Sequence, residues 1–261
     1  MKLCAAWILT LMAGTSHAAL KTEIVAYKQD TATLEGLLVY DDAVPGKRPG
    51  ILLVPDWMGI TDIARSQAEL TAKLGYVVLV ADIYGKRFRP KNAKEAGAQA
   101  GIYKGDRNLM RARAQAGLDQ LLKSNETDST RIAAMGYCFG GGVVLELARS
   151  GADLDGAVTF HGNLDTPHPE QAKNIKAKVL VLHGADDPFV PAADVQAFTD
   201  EMRKGGVDWT LTLYSGAVHA FTIPTAGNDP SKGAAYNEKA DRRSWIAMQD
   251  FYREIFPPSP R

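Results

Sequence analysis

From Gly50 onward the chain repeats one rhythm: a short unbroken run of aliphatic and β-branched residues, then a longer stretch in which apolar positions recur at helical spacing. A run apolar at consecutive positions suits a strand covered on both faces, and the longer period suits a helix with one buried stripe. The runs predict strands near Glu23–Tyr27, Leu34–Tyr40, Gly50–Pro55, Tyr76–Ala81, Arg131–Gly136, Gly156–His161, Val179–His183 and Trp209–Tyr214. Helices are predicted near Asp62–Leu74, Asp106–Ser124, Gly140–Arg149, Ala192–Lys204 and Ala234–Ile255. The first two strands, split by a short polar segment, are expected to pair antiparallel at an edge. The whole reads as an α/β fold, a mostly parallel sheet of about eight strands with helices on both faces. Two segments fit neither period and read as loops: Tyr84 to Gly101, with Lys86, Arg87, Arg89 and Lys91, and Thr222 to Lys232.

Composition narrows this picture. The chain has 261 residues, 46% of them hydrophobic, and no repeat or compositional break, so one catalytic domain over 19–261 is expected. Acidic and basic residues balance at 30 each, which argues against nucleic acid or an anionic membrane as a partner and leaves a small molecule. A monomer or small homo-oligomer is expected. The opening MKLCAAWILTLMAGTSHAA has Lys2, an apolar run from Leu3 to Met12, and small residues at Ser16 and Ala18. This is the pattern of a secretory signal peptide over 1–18, cleaved after Ala18, and the run falls short of the roughly 20 residues a membrane span needs. The mature chain is therefore expected in a periplasm or outside the cell. Cleavage would discard Cys4 and leave Cys138 alone, so no internal disulfide can form. With no cysteine pair and no close histidine spacing, neither metal nor cofactor is expected.

Cys138 lies in Gly136-Tyr-Cys-Phe-Gly-Gly-Gly142, between a predicted strand and a predicted helix. Gly-x-Cys-x-Gly is the nucleophile-elbow pattern with sulfur in place of oxygen. A sharp strand-to-helix turn holds the nucleophile in a strained conformation, and glycine two positions either way removes the collision that a side chain would cause. The turn aims the thiol at a helix N-terminus, whose partial positive charge favours thiolate. The N–H of Phe139 would face a tetrahedral oxyanion. A small buried cysteine in a tight turn is the bland alternative.

A thiol nucleophile needs a base and an orienting acid. On this elbow the chain order is nucleophile, acid, histidine. His161, His168 and His183 all precede the acidic candidates, so His219, in a loop after the last predicted strand, is selected. The acid comes from His183-Gly-Ala-Asp-Asp-Pro-Phe-Val-Pro191, where Asp187 is chosen because Pro188 and Pro191 stiffen its loop; Asp186 is the close competitor, and His183 reads as structural.

At this point the chain resembles the dienelactone hydrolase family of the α/β-hydrolase fold, through Gly50-Ile-Leu-Leu-Val-Pro-Asp-Trp-Met-Gly59, Leu74-Gly-Tyr-Val-Val-Leu-Val-Ala-Asp-Ile-Tyr-Gly85, the cysteine elbow, His183-Gly-Ala-Asp-Asp187 and Gly216-Ala-Val-His-Ala-Phe221. The resemblance implies Cys138 as nucleophile, His219 as base, Asp187 as its partner, and the N–H of Trp57 as the oxyanion donor opposite Phe139. Members that cleave dienelactone carry a glutamate where this chain has Asp56, and two substrate-binding arginines where it has Lys86 and Ile223. An isoleucine cannot pair a carboxylate and lysine lacks the arginine fork, which argues against dienelactone itself. The expected function is hydrolysis of small carboxylic esters or lactones through a thioacyl-enzyme. Asp56, Trp57, Met58, Lys86, Phe189, Phe221 and Ile223 are expected around a mainly apolar pocket. A thioesterase or other acyl hydrolase on the same triad, and a non-catalytic ligand-binding homologue, stay open as alternatives.

Overall fold

The computed structural model of the chain describes residues 20–257; the expected signal segment and the last residues of the proline-rich tail lie outside them. Eight strands, β1 Leu20–Gln29, β2 Ala32–Asp41, β3 Arg48–Val54, β4 Val77–Val80, β5 Thr127–Tyr137, β6 Gly156–Phe160, β7 Lys178–Gly184 and β8 Trp209–Tyr214, form one sheet in the order β1-β2-β4-β3-β5-β6-β7-β8. β1 and β2 make an antiparallel hairpin and β2 joins β4 antiparallel; every later pairing is parallel. The helices are α1 Asp62–Ala72, α2 Ala93–Gly105, α3 Arg107–Leu122, α4 Phe139–Arg149, α5 Ala192–Gly205 and α6 Glu238–Ile255.

The strand pleat explains why unbroken apolar runs were needed. Ile51 and Leu53 face one core with α1 and α6, while Leu52 and Val54 face the other with α2 to α5. The elbow helix α4 lies under this second layer, buried along its whole length. Its two charged residues are neutralised by neighbours: Glu146 by Arg111 of α3 at 2.6 Å, and Arg149 by Glu201 of α5 at 2.7 Å. Unpaired, either charge would cost several kcal/mol.

Two expectations are corrected. The segment read as a loop from Tyr84 to Gly101 contains most of α2, capped by Asn92, whose side chain accepts from the Glu95 N–H at 3.0 Å. Its buried stripe is Ala96, Ala100 and Tyr103, helical in spacing but too small to register as an apolar pattern. The last helix begins at Glu238 rather than Ala234. The residues ahead of it spend their N–H groups elsewhere: Ala235 on His219 O, Tyr236 on Gly227 O and Asn237 on Phe221 O, at 2.7 to 3.1 Å. Asn237 then caps α6 through the Ala240 N–H.

Candidate active site

β5 ends at Tyr137, α4 starts at Phe139, and Cys138 between them has φ 53° and ψ −120°, a region L-residues rarely adopt. The flanking glycines make this turn possible. A Cβ on Gly136 would lie 2.2 Å from the carbonyl oxygen of Gly140, and one on Gly140 would lie 2.1 Å from that of Val54. The Cys138 N–H donates to Phe160 O at 3.0 Å, tying the elbow to the end of β6. The thiol is partly exposed.

His219 arrives from the loop after β8. Its Nε2 lies 3.0 Å from Cys138 Sγ and its Nδ1 lies 2.8 Å from Asp187 Oδ2. A carboxylate only accepts, so Nδ1 carries its hydrogen and Nε2 faces the sulfur. Asp187 is buried and its Oδ1 accepts the Phe189 N–H at 2.9 Å, whereas Asp186 is exposed and turned away onto the Gly216 N–H. The two candidate acids are thus separated by geometry. Burial works against a charged His219, but the hydrogen bonds and charges of Asp187 and Cys138 outweigh it and push its pKa up to about 10.

The Trp57 and Phe139 N–H groups donate to no protein acceptor among the described residues, so both are free to meet an anion. The loop that presents Trp57 is shaped by Asp56, whose Oδ1 accepts the Met58 N–H at 2.8 Å and whose carbonyl accepts the Gly59 N–H at 3.0 Å. Burial pushes the Asp56 carboxyl above its ordinary value, against the Met58 bond and the charge of His219. The acid has turned onto its own loop rather than onto the thiol. Tyr84, in the loop after β4, touches both donor residues: its hydroxyl donates to Trp57 O at 2.8 Å and its ring packs 5.7 Å from that of Phe139.

The remaining sequence candidates divide. Phe189 is exposed and meets His219 edge-on at 5.4 Å; Trp57 is exposed beside α2, where a Cβ on Gly97 would lie 3.6 Å from its ring; Met58 is half-buried. Phe221 and Ile223 do not line an open pocket. Ala220 at φ 57° turns the loop inward, and Phe221 packs under the site against His161 and Tyr214 while Ile223 is buried. Lys86 is exposed and engaged by Glu35 at 2.6 Å, outside the group around Cys138. Among the described residues no three His, Cys, Asp or Glu side chains are placed to hold a metal ion. Sequence reading passed over Tyr84 and His161. His161 directly follows β6 and Tyr84 lies in the loop after β4, both on the carboxyl side of parallel strands where such sheets build their sites, and that position was the signal to use.

The model of the dienelactone hydrolase family matches residues 34–256. The solved structure of m3DLH is 40% identical with a TM-score of 0.88, covering 91% of this chain and 99% of that one. The crystal structure of a dienelactone hydrolase-like promiscuous phosphotriesterase from metagenomic libraries is 39% identical with a TM-score of 0.86 and the same coverage, 91% and 99%. Among curated proteins, a "Putative carboxymethylenebutenolidase" of Saccharolobus solfataricus is 33% identical over 126 residues, 48% of this chain and 45% of its own.

Proposed function

The chain belongs to the dienelactone hydrolase family and is a carboxylic ester or lactone hydrolase, and from that premise we propose that it works through Cys138, His219 and Asp187 with a thioacyl-enzyme intermediate. His219 Nε2 takes the proton of Cys138, and Sγ attacks the substrate carbonyl carbon. The developing oxyanion is received by the Trp57 and Phe139 N–H groups. Each such donor is worth about 3 kcal/mol, roughly two powers of ten in rate. Collapse breaks the acyl C–O bond, and the leaving alkoxide takes the proton from Nε2. A water that gives its proton to Nε2 then attacks the thioester, and the carboxylic acid leaves as Cys138 regains its proton. Asp187 holds the imidazole in the tautomer this cycle needs.

One observation carries this reading: the continuous line from Sγ to Nε2 at 3.0 Å and from Nδ1 to Oδ2 at 2.8 Å, mounted on a strained elbow. Small uncharged acyl groups are the favoured substrates. Lys86 is already paired by Glu35 and Ile223 is buried, so neither arginine-equivalent position offers a free cation. Cys138→Ala should abolish turnover of p-nitrophenyl acetate with the fold intact; full activity in that variant would end the nucleophile assignment.

The 39% identity to the promiscuous phosphotriesterase supports a second substrate class at the same site. Sγ would displace aryloxide from phosphorus, and water would then cleave the S–P bond. Paraoxon turnover that disappears in Cys138→Ala supports this, and no turnover of paraoxon by the intact enzyme removes it. Residues 1–18 are read as an export signal; a mature protein that still begins at Met1 in the producing cell would refute that.

A further inference from the structure

His161 takes no part in the chemistry above, yet it is built into the site at some cost. It follows β6 directly, has no exposed surface, and adopts φ 40°. A non-glycine residue in that region costs roughly 1–3 kcal/mol and persists only where its surroundings impose it. Those surroundings are specific. The His161 N–H donates to Leu182 O at 2.8 Å, and the carbonyl one residue earlier accepts the Cys138 N–H at 3.0 Å, so the backbone of His161 is fixed beside the elbow.

The ring is equally committed. It meets the His219 ring at 5.3 Å and 65°, with Phe221 at 5.1 Å on another side and Tyr137 at 6.1 Å. Its Nε2 lies 2.8 Å from Thr222 Oγ1, in the same loop three residues after His219. Its Nδ1 is buried without a partner. An apolar residue of similar size would fill the space without that penalty, though not without the backbone strain. What the histidine adds is the bond to Thr222.

From this geometry we infer that His161 is a positioning residue, fixing the tilt of the His219 imidazole by its ring and by its bond to Thr222. The inference rests on His219 being the base. Hydrogen bonds to Asp187 and Cys138 pin two atoms of the His219 ring and leave it free to rock about the line through them. The ring of His161 at 5.3 Å and that of Phe189 at 5.4 Å restrict this rocking, and the Thr222 bond stops the loop from sliding along β6. Burial, and then the neighbouring His219 and His183, hold His161 well below its ordinary pKa, so it packs against a cationic imidazole without adding a second charge.

The test uses Thr222→Val, Thr222→Ser and His161→Phe, each compared with Cys138→Ala on p-nitrophenyl acetate. Thr222→Val keeps the shape and removes the hydroxyl, and His161→Phe keeps a ring and removes the nitrogen. Both should lower kcat about tenfold with KM within about twofold of wild type, the scale of one hydrogen bond to a group that must stay aligned. Thr222→Ser, which restores the hydroxyl, should recover most of the loss. If His161→Phe does not fold, the Thr222 pair decides alone. Wild-type kcat in Thr222→Val, a change confined to KM, or an equal loss in Thr222→Ser overturns the inference. Activity surviving in Cys138→Ala overturns the nucleophile assignment instead, so the two failures are distinct.

Discussion

Replacing Gly140 by alanine places a methyl carbon 2.1 Å from the Val54 carbonyl oxygen and 2.4 Å from that of Pro55. Both are backbone atoms at the end of β3, so no side chain can swing away to relieve the contact. Reaching even the shortest distance that real Cβ atoms tolerate, 3.0 Å, requires the end of β3 and the first turn of α4 to separate by about 0.9 Å. Those two elements carry the Trp57 and Phe139 N–H groups. A misplacement on the order of 1 Å at a reacting centre costs about 100-fold in rate, and overpacking of a rigid core costs about 1–3 kcal/mol. In a chain of this size that is a fall in Tm of roughly 2–12 °C. The matched control is Gly142→Ala, whose Cβ meets only Asn163, at 3.3 Å, and should be mild on both measures. The assay is kcat/KM for p-nitrophenyl acetate beside a calorimetric Tm, with iodoacetamide titration to show that Cys138 stays reactive. Wild-type kcat/KM and Tm in Gly140→Ala would refute the argument that the elbow needs glycine for room.

Asp187→Asn removes one of the two partners that raise His219, so the pKa of the imidazole should fall and kcat/KM should drop by about 100-fold or more; an unchanged pH–rate profile would refute the pairing. Because His219 is raised in the folded chain, from 6.5 to about 10, its contribution to stability is fully present below about pH 6.5 and is lost as pH climbs toward 10. Tm should therefore fall across that window, and less steeply in His219→Gln; equal slopes would count against it. Tyr84→Phe loses the bond to Trp57 O but keeps the ring on Phe139, and should cost about 1 kcal/mol, roughly fivefold, in kcat rather than KM. Kinetics of the purified variant at several substrate concentrations decide it.

The strands were legible where burial on both faces writes an unbroken apolar word, as in Ile51-Leu-Leu-Val54, which has no exposed surface. α2 was not, because its buried face is Ala96, Ala100 and Tyr103, and a helix packed through methyl groups leaves no amphipathic contrast. The start of α6 was misjudged for a different reason: Ala234 and Ala235 are good helix formers, but the N–H groups of 235–237 are claimed by residues of other loops. The elbow pattern singled out Cys138, chain order His219, and the flanking prolines Asp187 over Asp186, and the structure brings these three side chains together. The pocket residues depended on tertiary choices. Lys86 pairs with Glu35 of β2 at 2.6 Å, and Phe221 goes inward after Ala220 at φ 57°. His161 was set aside as a base by the order rule, which is silent about neighbours contributed by a fourth strand.

The segment ahead of α6 grips the His219 loop through backbone bonds, His219 N to Gly233 O, Ala235 N to His219 O and Asn237 N to Phe221 O, and through Asn237 Nδ2 to Gly216 O. His219 is therefore fastened to the segment that leads into the C-terminal helix, while the thiol is fastened to the middle of the sheet. Undocking of that helix, by trimming the chain end or by mild heat, should loosen the imidazole, then held only by Asp187 and the Thr222 bond, before it disturbs the sulfur. Such a chain would still take up an alkylating reagent after it had stopped turning over ester, so a thiol stain alone overstates how much working enzyme a sample holds.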